Sequence, residues 1–178
     1  MTEVYALRHL LTPWNEKGML QGHTDISISP ISDDLKEEIS EIKKKFDLKP
    51  ENFDKVYVSP LKRTHETAQA FGFNNFEIDS RLMEVSFGSY EGRLKKDLIQ
   101  ETGSEWLNNP KNTELWKELL TMQNQLEDFL QDQKSFQKIM IFAHGGVLRY
   151  FDGRNRGLEL NQINTFRIDN GQLIQFHV

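Results

Sequence analysis

Three short apolar runs, "EVYALRH", "DKVYVSP" and "KIMIFAHGG", are separated by stretches with helical periodicity, and this alternation constrains the fold more than any other feature of the chain. The runs have strand length, and their near-continuous apolar character marks strands buried on both faces. Strands of that kind alternating with helices predict an α/β layered domain with a largely parallel sheet. The segment 32–46, "SDDLKEEISEIKKKF", puts Leu35, Ile39, Ile42 and Phe46 on one helical face. Ser32 is its expected N-cap, and the acids of its first turn and Lys43 to Lys45 of its last both suit the helix dipole. The lysine run therefore reads as a solvated helix end rather than a binding patch.

A second helix is predicted over "LKRTHETAQAF", and a brief strand over Phe76 to Ile78. Residues 93–133 read as helical with a break at Asn109-Pro110, because the residue before a proline disfavours helix. Leu115, Leu119, Met122, Leu126 and Phe129 form one face there, a core stripe. In "FRIDNGQLIQFHV", Asn170-Gly171 is the favoured two-residue turn of a hairpin. The expected architecture is a three-layer sandwich in one domain, 1–178. It has a mostly parallel central sheet flanked by helices and a C-terminal hairpin at the edge.

Composition narrows the chemistry. The chain has no cysteine, which excludes disulfides, thiolate metal sites and cysteine nucleophiles. A net charge of −5 argues against nucleic-acid or membrane partners, while a local basic pocket stays open. No apolar run approaches the ~18 residues of a membrane helix, and the N-terminus lacks a signal-peptide pattern, so a cytoplasmic location is expected. No histidines stand at metal-ligand spacing, and no metal or cofactor is expected.

Ligands of open α/β sheets bind beyond the carboxyl ends of the strands. Three predicted strands end in Arg8-His9, in Ser59 with Arg63 just inside the next helix, and in His144-Gly145-Gly146. If those strands are parallel neighbours, two arginines and two histidines converge on one crevice suited to a phosphate.

The blocks "LRHLLTPWN", "LQGHTD", "SPLKRTHETA", "LMEVSFGSYEG" and "AHGGVLR" appear in an order that resembles the histidine phosphatase superfamily, the phosphoglycerate-mutase-like group. The resemblance runs from residue 7 to residue 149 and implies metal-independent phosphoryl transfer through a covalent phosphohistidine. It makes His9 the nucleophile and gives Arg8, Arg63 and His144, with Asn15 and the backbone of Gly145, to the phosphate pocket. Glu84 becomes the proton donor to the leaving group, with Glu91 the next candidate. Gln21 and Gly22 form a turn near the rim, where they are candidate substrate contacts.

That chemistry is sound on its own terms. A phosphate monoester carries nearly two negative charges near pH 7, which a neutral imidazole meets without repulsion. The other ring nitrogen should face an acceptor, so that the attacking nitrogen keeps its lone pair. Two guanidiniums and a second, protonated imidazole then hold the equatorial oxygens at the transition state. The charge of the bound ester favours a proton on the neighbouring Glu84.

Two positions depart from the family pattern. Leu10 follows the nucleophile where glycine is usual, and Asp152-Gly153 is expected to cut the last helix short, leaving Arg154 and Arg156 in an exposed loop. The leading expectation is a phosphatase of a small phosphorylated metabolite, monomeric or homodimeric. The rivals are a mutase-type transfer, disfavoured because the chain is compact between the acid and the last histidine, and a weakly catalytic binder of phosphorylated ligands marked by Leu10.

Overall fold

The computed structural model describes residues 1–178. Strand β1 (Glu3–Arg8) leads through α1 (Pro13–Glu16) and α2 (Asp33–Lys45) to β2 (Lys55–Val58), α3 (Lys62–Ala70) and the two-residue β3 (Glu77–Ile78). Three helices follow, α4 (Lys95–Glu101), α5 (Glu105–Asn108) and α6 (Trp116–Asp132), then β4 (Lys138–Ala143), α7 (Gly145–Asn155) and β5 (Leu173–His177). The strand order is β3-β2-β4-β1-β5. The first four strands run parallel, and β5 lies antiparallel along β1.

Alternation of side chains along the strands makes the layers. Tyr5, Leu7, Val56, Val58, Met140 and Phe142 pack with Ile39 of α2 and Ala68 of α3. Val4, Ala6, Tyr57, Ile139, Ile141 and Ala143 face the other way, onto Leu119, Met122, Leu126 and Phe129 of α6 and Val147, Leu148 and Phe151 of α7. The stripe read from the α6 sequence is thus core packing. Ser32 caps α2, its Oγ accepting from Leu35 N at 3.2 Å. β1 is followed by helices on one face and its neighbour β4 by a helix on the opposite face. The gap beyond these two strand ends is the topological switch point at which such sheets bind ligands.

Two expectations fail, each for a local reason. The C-terminal segment is not a hairpin. Asn170 and Gly171 do form a turn, with Gly171 at φ 74° and Gln172 N bonded to Asp169 O. Residues 163–170, however, contain no strand, and the turn delivers β5 to β1 instead. The backbone ahead of β5 bonds to the end of β1, with Gly171 N donating to Arg8 O at 3.0 Å and Arg8 N to Gln172 O at 3.0 Å.

Nor does Asp152-Gly153 end α7, which continues through Arg154 to Asn155. Gly153 is there because α7 runs against the following loop: a methyl group on it would lie 3.2 Å from Ile163 Cγ2. Arg154 pairs with Glu127 of α6 at 2.7 Å. Arg156, just after α7, pairs with Asp152 at 3.1 Å and covers the Phe166 ring.

Gly153 offers a direct check of this packing. Gly153→Val inserts a branched side chain into a filled contact and is expected to destabilise the protein by about 1–3 kcal/mol. Urea denaturation measures it; an unchanged midpoint would show that α7 does not press on the 163 loop.

Candidate active site

The end of β1 sets the site. Side chains of successive strand residues point to opposite faces, so Arg8 and His9 can share one cavity only where the strand stops. β1 stops at Arg8, and both side chains open into a cavity of about 430 Å3 at the carboxyl edge of the sheet. Its wall also includes Asn15, Gln21, Gly22, Arg63, Glu84 and Gly145. These elements, far apart in sequence, meet as the strand ends implied.

His9 is 2% exposed, and its Nδ1–H donates to the carbonyl of Leu10 at 2.7 Å. That bond leaves the lone pair on Nε2. Leu10 itself turns away from the cavity. Its side chain is buried in the core beside α2 and α3, its amide donates to Thr67 Oγ1 at 2.9 Å, and its φ is not positive. The position needs no glycine, and the leucine adds an anchor behind the nucleophile.

Arg63, near the start of α3, is 1% exposed. Its Nη1 and Nη2 donate to the carbonyls of Thr24 and Gly22, each at 2.8 Å, while Nε has no partner. Arg8 donates from Nη1 to Ile168 O at 2.5 Å, and again Nε is unpartnered. Burial lowers the pKa of both guanidiniums to about 10, leaving them charged at neutral pH. Buried polar groups are seldom unpaired, so these donors mark where an anion belongs.

His144 stands beside His9, with ring centroids 5.4 Å apart. Its Nε2 is 2.7 Å from Ser59 Oγ, and its buried Nδ1 has no partner. The protonated form expected of it meets opposition in the protein alone, since burial first and Arg63 second hold its pKa well below the ordinary histidine value. The missing counter-charge would have to come from a bound anion.

Glu84 is held at the N-terminus of α7. Gly146 N donates to both carboxylate oxygens at 3.1 Å, and Val85 N to one at 3.0 Å. A methyl group at position 146 would fall 2.2 Å from Glu84 Oε1, so only glycine lets the carboxylate sit there. Glu91, the alternative acid, is instead a scaffold. It accepts from the amides of His23 and Phe87 and from Thr24 Oγ1, fixing the turn whose carbonyls hold Arg63. The remaining expected contacts line the wall. Gln21 is tied to Thr12, and Asn15 Oδ1 accepts from Thr12 N and Asn170 Nδ2, leaving the Asn15 amide NH2 as its donor.

A nucleophile-ready imidazole, two guanidiniums and a second imidazole form an anion cup with a carboxylate at its edge. The histidine phosphatase superfamily (branch 1) matches over residues 4–178. The chain belongs to this superfamily. A Hydrogenobacter thermophilus protein provisionally named phosphoserine phosphatase 2 is 28% identical over 190 residues, spanning 100% of this chain and 90% of that one. The crystal structure of the alpha-ribazole phosphatase from Shigella flexneri superposes with a TM-score of 0.75 at 25% identity, covering 99% of this chain and 91% of that one. The fold is shared as well by a phosphoserine phosphatase from Entamoeba histolytica in complex with 3-phosphoglyceric acid, with a TM-score of 0.78 at 23% identity over 99% and 91% of the two chains.

Several residues of this histidine-phosphatase site were not singled out in the sequence. Arg149 lines the cavity one turn into α7, a position four residues from Gly145 that the helical period alone would have flagged. Asn170, read as a turn residue, donates to the carbonyl of His9 at 3.0 Å and to Asn15 Oδ1 at 3.1 Å. Lys95, Asn164, Arg167 and the aromatic walls Phe87, Trp106 and Phe166 come from segments without motifs. Arg154 and Arg156 are not part of the wall.

Burial and the two arginines also lower the pKa of His9 well below the ordinary histidine value. Unfolding therefore lets His9 and His144 each take up a proton below about pH 6.5, so their contribution favours the folded state above that pH and is lost as pH falls below it. Urea unfolding between pH 7.5 and 5.0 should show stability dropping below about pH 6.5, with uptake approaching two protons. His144→Asn should remove about half of that slope. A flat profile over this interval would mean that the imidazoles are not buried neutral.

Proposed function

We propose that this chain is a phosphomonoester hydrolase for small phosphorylated metabolites, working through a phosphohistidine on His9. The observation that carries the reading is the Leu10 carbonyl fixing the Nδ1 proton of His9 while unpartnered guanidinium nitrogens stand around the cavity. In the first step Nε2 attacks phosphorus, the ester P–O bond breaks, and Glu84 gives its proton to the departing oxygen. In the second, water attacks the phosphohistidine, the P–Nε2 bond breaks, and the Glu84 carboxylate takes the water's proton. Arg8, Arg63, His144, the Asn15 amide and the backbone of Gly145 hold the three non-bridging oxygens through both steps. Each such donor is worth on the order of a hundred- to a thousandfold in rate.

The rival readings find less support. A non-catalytic binder would be marked by Leu10, yet that side chain lies in the core and outside the cavity. A mutase must return the phosphoryl group to a second acceptor, and product analysis with an organic acceptor present separates transfer from release of free phosphate.

His9→Ala is expected to reduce turnover to background, because it removes the Nε2 atom that carries the phosphoryl group. Rapid quenching of the wild type with a radiolabelled ester should trap acid-labile phosphate on His9; its absence across a broad panel of esters would favour the binder. Glu84→Gln is expected to slow alkyl phosphates about 100-fold or more. It should have little effect on p-nitrophenyl phosphate, whose leaving group barely needs a proton. Equal slowing of both would remove Glu84 from the acid role.

A further inference from the structure

Glu84 sits on a stretch of chain with little to hold it. Residues 84–86 belong to no helix or strand, and none of their main-chain groups bonds to another main-chain group. One hydrogen bond reaches that backbone from elsewhere in the chain: His23 Nε2 lies 2.8 Å from the carbonyl oxygen of Glu84. A carbonyl only accepts, so the ring donates through Nε2–H.

The Glu84 carbonyl and the Val85 N–H are the two ends of one planar trans peptide group, and that N–H donates to Glu84 Oε1 at 3.0 Å. Fixing the oxygen therefore aims the N–H at the carboxylate, and polarising the carbonyl makes that N–H a stronger donor. His23 directs the peptide from one side, while Gly146 N holds the carboxylate from the other.

The chain neighbours of His23 serve the phosphoryl pocket. The carbonyls of Gly22 and Thr24, on either side of it, each hold Arg63 at 2.8 Å. Three successive residues thus join a buried guanidinium of the cavity to the acid, and Glu91 ties the same turn to Phe87 beyond the acid. We propose that His23 is a positioning residue that fixes the proton donor Glu84 in register with Arg63. This rests on the hydrolase reading above and adds to it the group through which the acid is aimed. The His23 ring is exposed, so removing its bond costs little stability and its variants are expected to fold.

Two esters test it: glycerol 3-phosphate, with an alkyl leaving group, and p-nitrophenyl phosphate, whose leaving group barely needs a proton. His23→Leu should slow the alkyl ester about 10- to 100-fold more than the aryl one, the scale of a misplaced catalytic group. His23→Gln, whose amide N–H reaches about as far as Nε2, should restore most of the alkyl rate, and His23→Asn should not. In a Glu84→Gln background, His23→Leu should cost no more than about 2-fold, because the group it positions is gone. Equal slowing of both esters would place the effect on Arg63 and overturn the proposal. So would an unchanged rate on both, or a fully additive loss in the double variant.

Amide hydrogen exchange decides the hold on Glu84 apart from turnover. The Val85 and Gly146 amides, which donate to the Glu84 carboxylate, should exchange about 10-fold faster in His23→Leu and near the wild-type rate in His23→Gln. Faster exchange in a protein that hydrolyses neither ester would contradict the hydrolase reading and keep the hold. Hydrolysis of both esters, with exchange and rate ratio unchanged in His23→Leu, would do the reverse.

Discussion

The hydrogen bond from His9 Nδ1 to the Leu10 carbonyl organises everything around it. It joins adjacent residues, so it would be worth little on a mobile chain. Here the peptide that carries the acceptor is pinned from several directions. The amide of His9 is bonded to Ala143 O of the neighbouring strand, that of Leu10 to Thr67, and the side-chain amide of Asn170 to His9 O. The leucine side chain is itself buried in the core. Departure from glycine at this position thus adds rigidity without crowding the cavity.

Around that imidazole the protein gathers more positive charge than Glu84, the carboxylate of the cavity wall, offsets. Arg8, Arg63 and Arg149 each have an Nε that is buried and unpartnered, and His144 contributes a ring nitrogen in the same condition. Such an arrangement is unfavourable for the empty fold and favourable for a polyanionic ligand. Binding energy is then available to orient the phosphoryl group and to meet charge as it develops. The topology makes the concentration possible, because β1 and β4 send their following helices to opposite faces and open a gap that cationic side chains reach from both.

Much of this was readable in the chain. Buried strands, the capped α2 helix and the α6 stripe follow from periodicity, and the residues at three strand ends foretold which side chains would meet. What escaped was set by tertiary contact. Asn170-Gly171 has hairpin chemistry, but the segment before it folds across the end of β1 toward the cavity, and no local signal reports that. Gly153 looked like a helix breaker and is instead a close approach to Ile163. Arg149 carries no motif of its own, and its place one turn after Gly145 on α7 is the signal that sets it on the cavity wall. Glu84 and Glu91 were equivalent as letters, and their hydrogen bonds separate one at the cavity edge from one that braces a turn.

The central claim is that His9 rests neutral, with its proton on Nδ1 and its lone pair on Nε2. Long-range proton–nitrogen correlation spectra of selectively labelled histidine report this directly. The His9 ring should show the Nδ1–H tautomer at pH 6 and remain in it down to pH 5.5. An Nε2–H tautomer, or a ring that titrates near pH 6.5, would contradict the account.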